Sequence, residues 1–139
     1  MPTFSQRSLD RLHTCHPDLQ VLFKQVVRTF DCSILEGHRN ETDQNAAYAA
    51  GKSQLKYPHG KHNALPSMAV DVAPYPIDWN DLARFRYFAG FVMGAAKMLL
   101  AQGEMEYAVR WGGNWDQDTQ LKDNRFNDLV HFELTEVTP

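Results

Sequence analysis

Two stretches of this 139-residue chain hold side chains that can do chemistry. In the first, Gly60 to Pro74, His62 sits in a polar loop bounded by Gly and Pro. Asp71 follows inside an apolar run of Met68, Ala69, Val70, Val72 and Ala73. A carboxylate flanked by two valines reads as buried, and buried charge is costly unless it is paired or binds a metal. In the second, Asp128 to Glu133, His131 is embedded in what reads as a strand. Two histidines and an aspartate on two strands can converge on one zinc ion, with the fourth coordination position left open to water. The candidate ligands are therefore His62, Asp71 and His131. His59 competes with His62, since the two are spaced like a ligand pair, but it stands further from the Ala-Val-Asp segment.

Positioning these residues requires a set of elements that the hydrophobic spacing outlines. A short helix is expected over 5–12, capped by Ser5. Pro17 opens a second helix carrying Leu19, Leu22, Phe23, Val26, Val27 and Phe30 and ending near Asp31. Cys32 to Leu35 reads as a strand that delivers Arg39 to the site, and 41–50 as a helix that Gly51 stops. The polar segment 52–67 is a loop of a length that is commonly functional. Met68 to Ala73 forms the first ligand-bearing strand, closed by Pro74 and Pro76. Asp78 is the expected N-cap of a long helix to about Gln102, with Gly103 after its end. Leu82, Phe85, Ala89, Val92, Ala96 and Leu99 make its apolar stripe. Tyr107 to Trp111 is a strand, 112–127 a polar loop, and Leu129 to Leu134 the last strand, with Leu129, His131 and Glu133 on one face. Helices first, then strands around one long helix, point to an α+β fold: a small, mainly antiparallel sheet with packed helices. With neither repeat nor linker, residues 1–139 read as a single domain.

The motifs resemble those of the zinc peptidases that cut peptidoglycan stem peptides, the D-alanyl-D-alanine carboxypeptidase and L-alanyl-D-glutamate endopeptidase family. That family includes many phage endolysins. Its pattern, S-x-H-x-x-G-x-A-x-D followed by a distant [DE]-x-x-H, is met by His62, by Ala69-Val70-Asp71 and by Asp128 to His131. Gly60 stands where the family usually has Ser, and Ser67 where it usually has Gly. The step from His62 to Asp71 is 71 − 62 = 9, two residues longer than the pattern, as in the phage endopeptidase branch. Glu36-Gly37-His38-Arg39, Gln44 and Trp111-Gly112-Gly113-Asn114-Trp115 extend the likeness over roughly residues 34–134.

The resemblance implies a Hedgehog/DD-peptidase-like fold and a role for each matching residue. His62, Asp71 and His131 would bind Zn2+. Asp128 would be the general base, its bland alternative being a turn residue after Asn127. Arg39 would clamp or polarise the substrate, since its planar fork suits a carboxylate such as that of D-glutamate. Gln44 is a further substrate contact or a helix-surface glutamine. Trp111 and Trp115 wall the groove or belong to the core. Glu133 is either a partner that holds His131 or a polar strand residue. For His13, His16 and His38 a structural role is expected.

Composition narrows the partners. A net charge of −3 argues against a general nucleic-acid binder. The N-terminus has no apolar core of signal-peptide length. The most apolar region, 85–100, contains Arg86 and Lys97 at helical periodicity and is no membrane span. Synthesis in the host cytoplasm is therefore expected, with holin-type export to the periplasm or cell wall. Cys15 and Cys32 are the only cysteines. Placed along one helix they would lie roughly 20 Å apart at about 1.5 Å per residue, and a disulfide needs Cα atoms within about 7 Å, so both are expected as free thiols.

The expected protein is a monomeric zinc endopeptidase of peptidoglycan, most readily one that cuts the L-alanyl-D-glutamate bond, and a phage endolysin. A D,D- or L,D-carboxypeptidase is the alternative within the class. A non-catalytic zinc-stabilised wall-binding module is the alternative outside it.

Overall fold

The computed structural model of the protein describes residues 1–115, 117 and 128–137. Most of the polar loop expected over 112–127 lies outside them. The described elements are α1 (Gln6–Leu12), α2 (Pro17–Val27), β1 (Cys32–Glu36), α3 (Glu41–Ala49), a 3-10 turn (Lys61–Asn63), β2 (Ala69–Pro74), α4 (Leu82–Ala101), β3 (Ala108–Trp111) and β4 (His131–Thr135). The four strands form one sheet in the order β1-β2-β4-β3, and every neighbouring pair is antiparallel. This is the α+β arrangement that the sequence suggested.

Alternation in the two central strands separates core from site. Val70, Val72, Phe132 and Leu134 point into an apolar core, fully buried against Leu19, Leu22, Phe23, Phe88 and Val92 of α2 and α4. The intervening residues Asp71, His131 and Glu133 face the opposite side. Register completes the separation by pairing Asp71 with His131 across β2 and β4. Asp18 fastens α2 to the start of β3. Its Oδ2 accepts from the backbone N–H groups of Glu106 at 2.8 Å and Tyr107 at 2.9 Å.

Several boundaries differ from expectation. Helix α2 ends at Val27, because Thr29 and Phe30 both donate to the Val26 carbonyl in a closing turn before β1. Helix α4 is capped by Asp81, whose Oδ1 accepts from Arg84 N at 3.1 Å, rather than by Asp78. Asp78 instead closes the preceding turn, accepting from Asn80 N at 3.0 Å. Leu82 therefore falls in the exposed first turn, while Phe85, Phe88, Ala89, Val92 and Ala96 are buried. Strand β4 begins at His131. Leu129 belongs to a turn closed by His131 N donating to Asp128 O at 3.1 Å, so it does not share the strand face of His131 and Glu133. Gly51 (φ +77°) and Gly103 (φ +76°) end α3 and α4 in the left-handed conformation, where a side chain is strained.

Candidate active site

The three candidate ligands come from the 3-10 turn, β2 and β4. The long polar segment is anchored on both sides of His62. Arg39 N donates to the His62 carbonyl at 2.8 Å, Ser67 N to Thr14 O at 2.9 Å and Met68 N to Lys61 O at 3.0 Å. His62 is 3% exposed. Its Nδ1 lies 2.7 Å from the Gly37 carbonyl, an acceptor only, so that nitrogen carries the proton and Nε2 is left as a lone-pair donor. Nε2 points at Asp71 Oδ1, 3.1 Å away. His131 uses the opposite nitrogens. Its Nε2 meets Glu133 Oε1 at 2.9 Å, and its Nδ1 lies 3.3 Å from the same Asp71 Oδ1. One ligand atom from each of His62, Asp71 and His131 lies within 4.8 Å of the others.

This donor set fits a divalent metal. Two imidazoles and a carboxylate suit zinc, and each imidazole is oriented by a partner on its far nitrogen, as metal-bound histidines almost always are. Charge agrees with geometry. Burial disfavours the ionised form of Asp71, but hydrogen bonds to His131 and His62 outweigh it and hold the carboxyl well below its usual range. Burial likewise opposes the imidazolium of His131, yet hydrogen bonds to Asp71 and Glu133 push its pKa up to about 9. For Glu133, burial is overcome by the hydrogen bond and charge of His131 and then by Arg110, bringing it down to about 2. Two carboxylates, Asp71 and Glu133, flank the His131 imidazole, a charge arrangement that suits a cation.

Glu133 is the residue that sequence reasoning left undecided. It is 6% exposed and is held by Arg110 Nη2 at 2.8 Å and Lys61 Nζ at 3.3 Å, while the Lys61 ammonium also reaches the Leu134 carbonyl. The strand period places it beside His131, but nothing in the sequence points to Lys61 or Arg110 as its partners.

Asp128 stands in the turn before β4, so it is a turn residue and faces the site as well. Burial raises its pKa and the charge of Asp71 adds to this, with His131, His62 and Arg39 working the other way. Gly112 makes the position possible. A Cβ there would strike the Asp128 carbonyl, and Asp128 N donates to Gly112 O at 2.9 Å. Gly37 has a parallel role, since a side chain would collide with Thr14 Oγ1 and the Arg11 carbonyl and disturb the acceptor for His62.

Arg39 is bound to Glu36, donates from Nη1 to Gln44 Oε1 at 3.0 Å and has Nη2 3.7 Å from Asp71 Oδ2. Gln44 is fully buried and also bonds Ser53, Leu55 and Asn63, so it braces Arg39 from beneath instead of lying on the helix surface. Trp111 is 5% exposed, packed in the core, with its indole N–H donating to Leu129 O at 3.0 Å. Of the two roles the sequence left open for this residue, the structure places it in the core. Trp115 lies beside the site, its ring 5.3 Å from that of His131 and 5.5 Å from the Arg110 guanidinium.

The remaining histidines are placed elsewhere. His16 caps α2 by accepting from Asp18 N at 3.0 Å, His38 bonds the Ala64 carbonyl at 3.0 Å, and His59 is exposed and outside the ligand cluster. A groove of about 900 Å³ opens in front of Asp71 and Asp128. Glu36 and Arg39 line it, with Ala46 and Ala47 of α3, Ala50 just past its end, and Trp79 from the β2–α4 connection.

Known proteins resemble this chain in both fold and sequence. The crystal structure of the Serratia marcescens L-Ala D-Glu endopeptidase ChiX matches with a TM-score of 0.69 and 29% identity, covering 96% of this chain and 90% of that one. No curated protein sequence matches. The family model of the phage L-alanyl-D-glutamate peptidases matches residues 2–135, nearly the whole chain and every candidate ligand. On that match, the chain belongs to the phage L-alanyl-D-glutamate peptidase family.

Proposed function

We propose that this protein is a zinc-dependent endopeptidase that hydrolyses the L-alanyl-D-glutamate bond of peptidoglycan stem peptides, and that it serves a phage as an endolysin. The observation that carries this reading is the convergence of His62 Nε2, Asp71 Oδ1 and His131 Nδ1 beside a groove that also holds Asp128 and Arg39. A zinc ion held by those three residues supplies Lewis-acid polarisation of the scissile carbonyl and brings the pKa of water towards neutral.

The chain's own residues do the rest. Asp128 takes the proton of the attacking water and passes it to the leaving amine of D-glutamate. Burial, which raises its pKa, suits a carboxyl that must both accept and return a proton. Arg39, steadied by Glu36 and Gln44, directs its fork at the free α-carboxylate of D-glutamate, an interior feature of the stem. Trp115 shields the His131 side. Residues 1–139 act as one catalytic domain and as a monomer. In a lytic cycle the enzyme is made in the host cytoplasm and reaches the wall through a holin-type lesion. Among the described residues no helix is long and apolar enough to cross a membrane.

Mass analysis of fragments released from purified peptidoglycan tests the reading. New peptides beginning with D-glutamate are expected, and Arg39→Lys should reduce their release severely because an ammonium cannot reproduce a bidentate fork. Release of free D-alanine alone would replace the endopeptidase by a carboxypeptidase.

A further inference from the structure

Trp79 is an aromatic residue of the groove that the chemistry above does not use. One face of its indole lies against Phe85, with ring centroids 5.5 Å apart and planes inclined by 18°. Phe85 is itself buried in the core, so the stack holds the indole on a fixed support. Even so, 59% of Trp79 stays exposed. The result is an exposed aromatic surface on a fixed support, lining the same groove as Arg39, Asp71 and Asp128. Its π face carries partial negative charge and attracts the weakly positive C–H bonds on the face of a sugar ring.

Peptidoglycan carries a sugar close to the scissile bond. The L-alanine of the scissile bond is acylated at its nitrogen by the lactyl group of N-acetylmuramic acid. One alanine and one lactyl unit therefore separate the reacting carbonyl from a pyranose, about 7 Å at roughly 3.5 Å per unit. The groove, about 900 Å³, lies at the upper end of the ~300–1,000 Å³ typical of sites that enclose whole ligands. It has room for more than the two residues that flank the bond.

We propose that Trp79 is a platform on which the muramyl sugar next to the scissile bond stacks, so that the enzyme selects stems still attached to glycan over free stem peptides. The proposal rests on the peptidase reading above. In it the L-alanine side of the bond runs towards Trp79, and the sugar, not the peptide, is what the indole recognises.

The test compares kcat/KM of the zinc-loaded full chain on one tetrapeptide stem in two forms, linked to a GlcNAc–MurNAc disaccharide and free. The wild type should prefer the linked form by about tenfold, equivalent to about 1.4 kcal/mol. Trp79→Ala should bring the ratio towards one, and Trp79→Phe, which keeps an aromatic face, should retain most of it. Because each ratio is measured within one variant, any partial loss of folding cancels. A wild-type ratio of one, or a ratio that survives Trp79→Ala, overturns the platform and leaves Trp79 as an apolar wall for the peptide. Cleavage of neither form sinks the peptidase reading itself, and the platform with it.

Discussion

His131 is gripped on both sides of its ring, by Asp71 at Nδ1 and by Glu133 at Nε2, and Glu133 is in turn pinned by Arg110 and Lys61. A ligand oriented in this way loses metal when its holder is removed, typically by about 10–100-fold in affinity. Zinc titration should therefore rank Glu133→Ala between the wild type and His62→Ala, Asp71→Ala or His131→Ala, each of which should drop the stoichiometry well below one per chain. Full zinc in His62→Ala with loss in His59→Ala would transfer the first ligand to His59. A substitution at Asp128 tests proton transfer apart from metal binding. Asp128→Ala should keep zinc and the circular dichroism of the wild type while lowering kcat by about 10²–10⁴-fold, the usual contribution of a general acid–base group. Near wild-type turnover in that variant would leave Asp128 with its turn alone.

The elements that carry these side chains are held at their ends. Helix α4 supports the sheet through Phe88 and Val92 and stacks Phe85 beneath Trp79, and its first turn depends on Asp81 accepting from Arg84 N. Asp81→Ala should cost about 1 kcal/mol, the common value of an N-cap, read as a lower urea midpoint at unchanged m. Asp78→Ala should cost less, because Asp78 closes a turn outside the helix. The reverse order would restore Asp78 as the cap. The turn from Asp128 to His131 depends on a different device, the missing side chain at Gly112, which lets the Asp128 backbone approach β3.

At the scale of the molecule, one core joins both long helices to the sheet, and the two thiols belong to it. Cys15 is 1% exposed and Cys32 is 3% exposed, and burial pushes each pKa up to about 12. An unfolded thiol ionises near pH 8.5. Above that pH the unfolded chain sheds protons that the folded chain keeps, so stability present below about pH 8.5 is lost progressively as pH rises towards 12. By pH 10 the loss should be roughly 1–2 kcal/mol per thiol. Urea midpoints of the wild type should fall between pH 8 and pH 10, and Cys32→Ala should flatten the fall. An identical slope in both proteins would show that the thiols do not drive it. Reagents that attack thiolates should likewise find the folded protein inert.

Much of this protein was legible without coordinates because its main signals are local. Alternation around Asp71 and His131 marks strands with an apolar side and a polar side, and a charge set among valines has to find partners. Helices begin at Ser5 and Pro17 and end beside Gly51 and Gly103 for reasons confined to a few neighbouring residues. The sequence pointed to Asp78 as the cap of α4, but Asp81, three residues on, holds that place. The choice fell to Asp81 once the preceding turn had packed, with Arg84 bonded to the Tyr75 and Pro76 carbonyls. Contacts between distant segments were settled only by the fold. Trp111 went to the core because β3 lies alongside β4, and Gln44 went beneath Arg39 because α3 closes over the His62 loop. The proton positions on His62 and His131 belong to the same class. They are set by the Gly37 carbonyl and by a Glu133 pinned from Lys61 and Arg110, and no pattern within one segment encodes which partners antiparallel pairing will bring together.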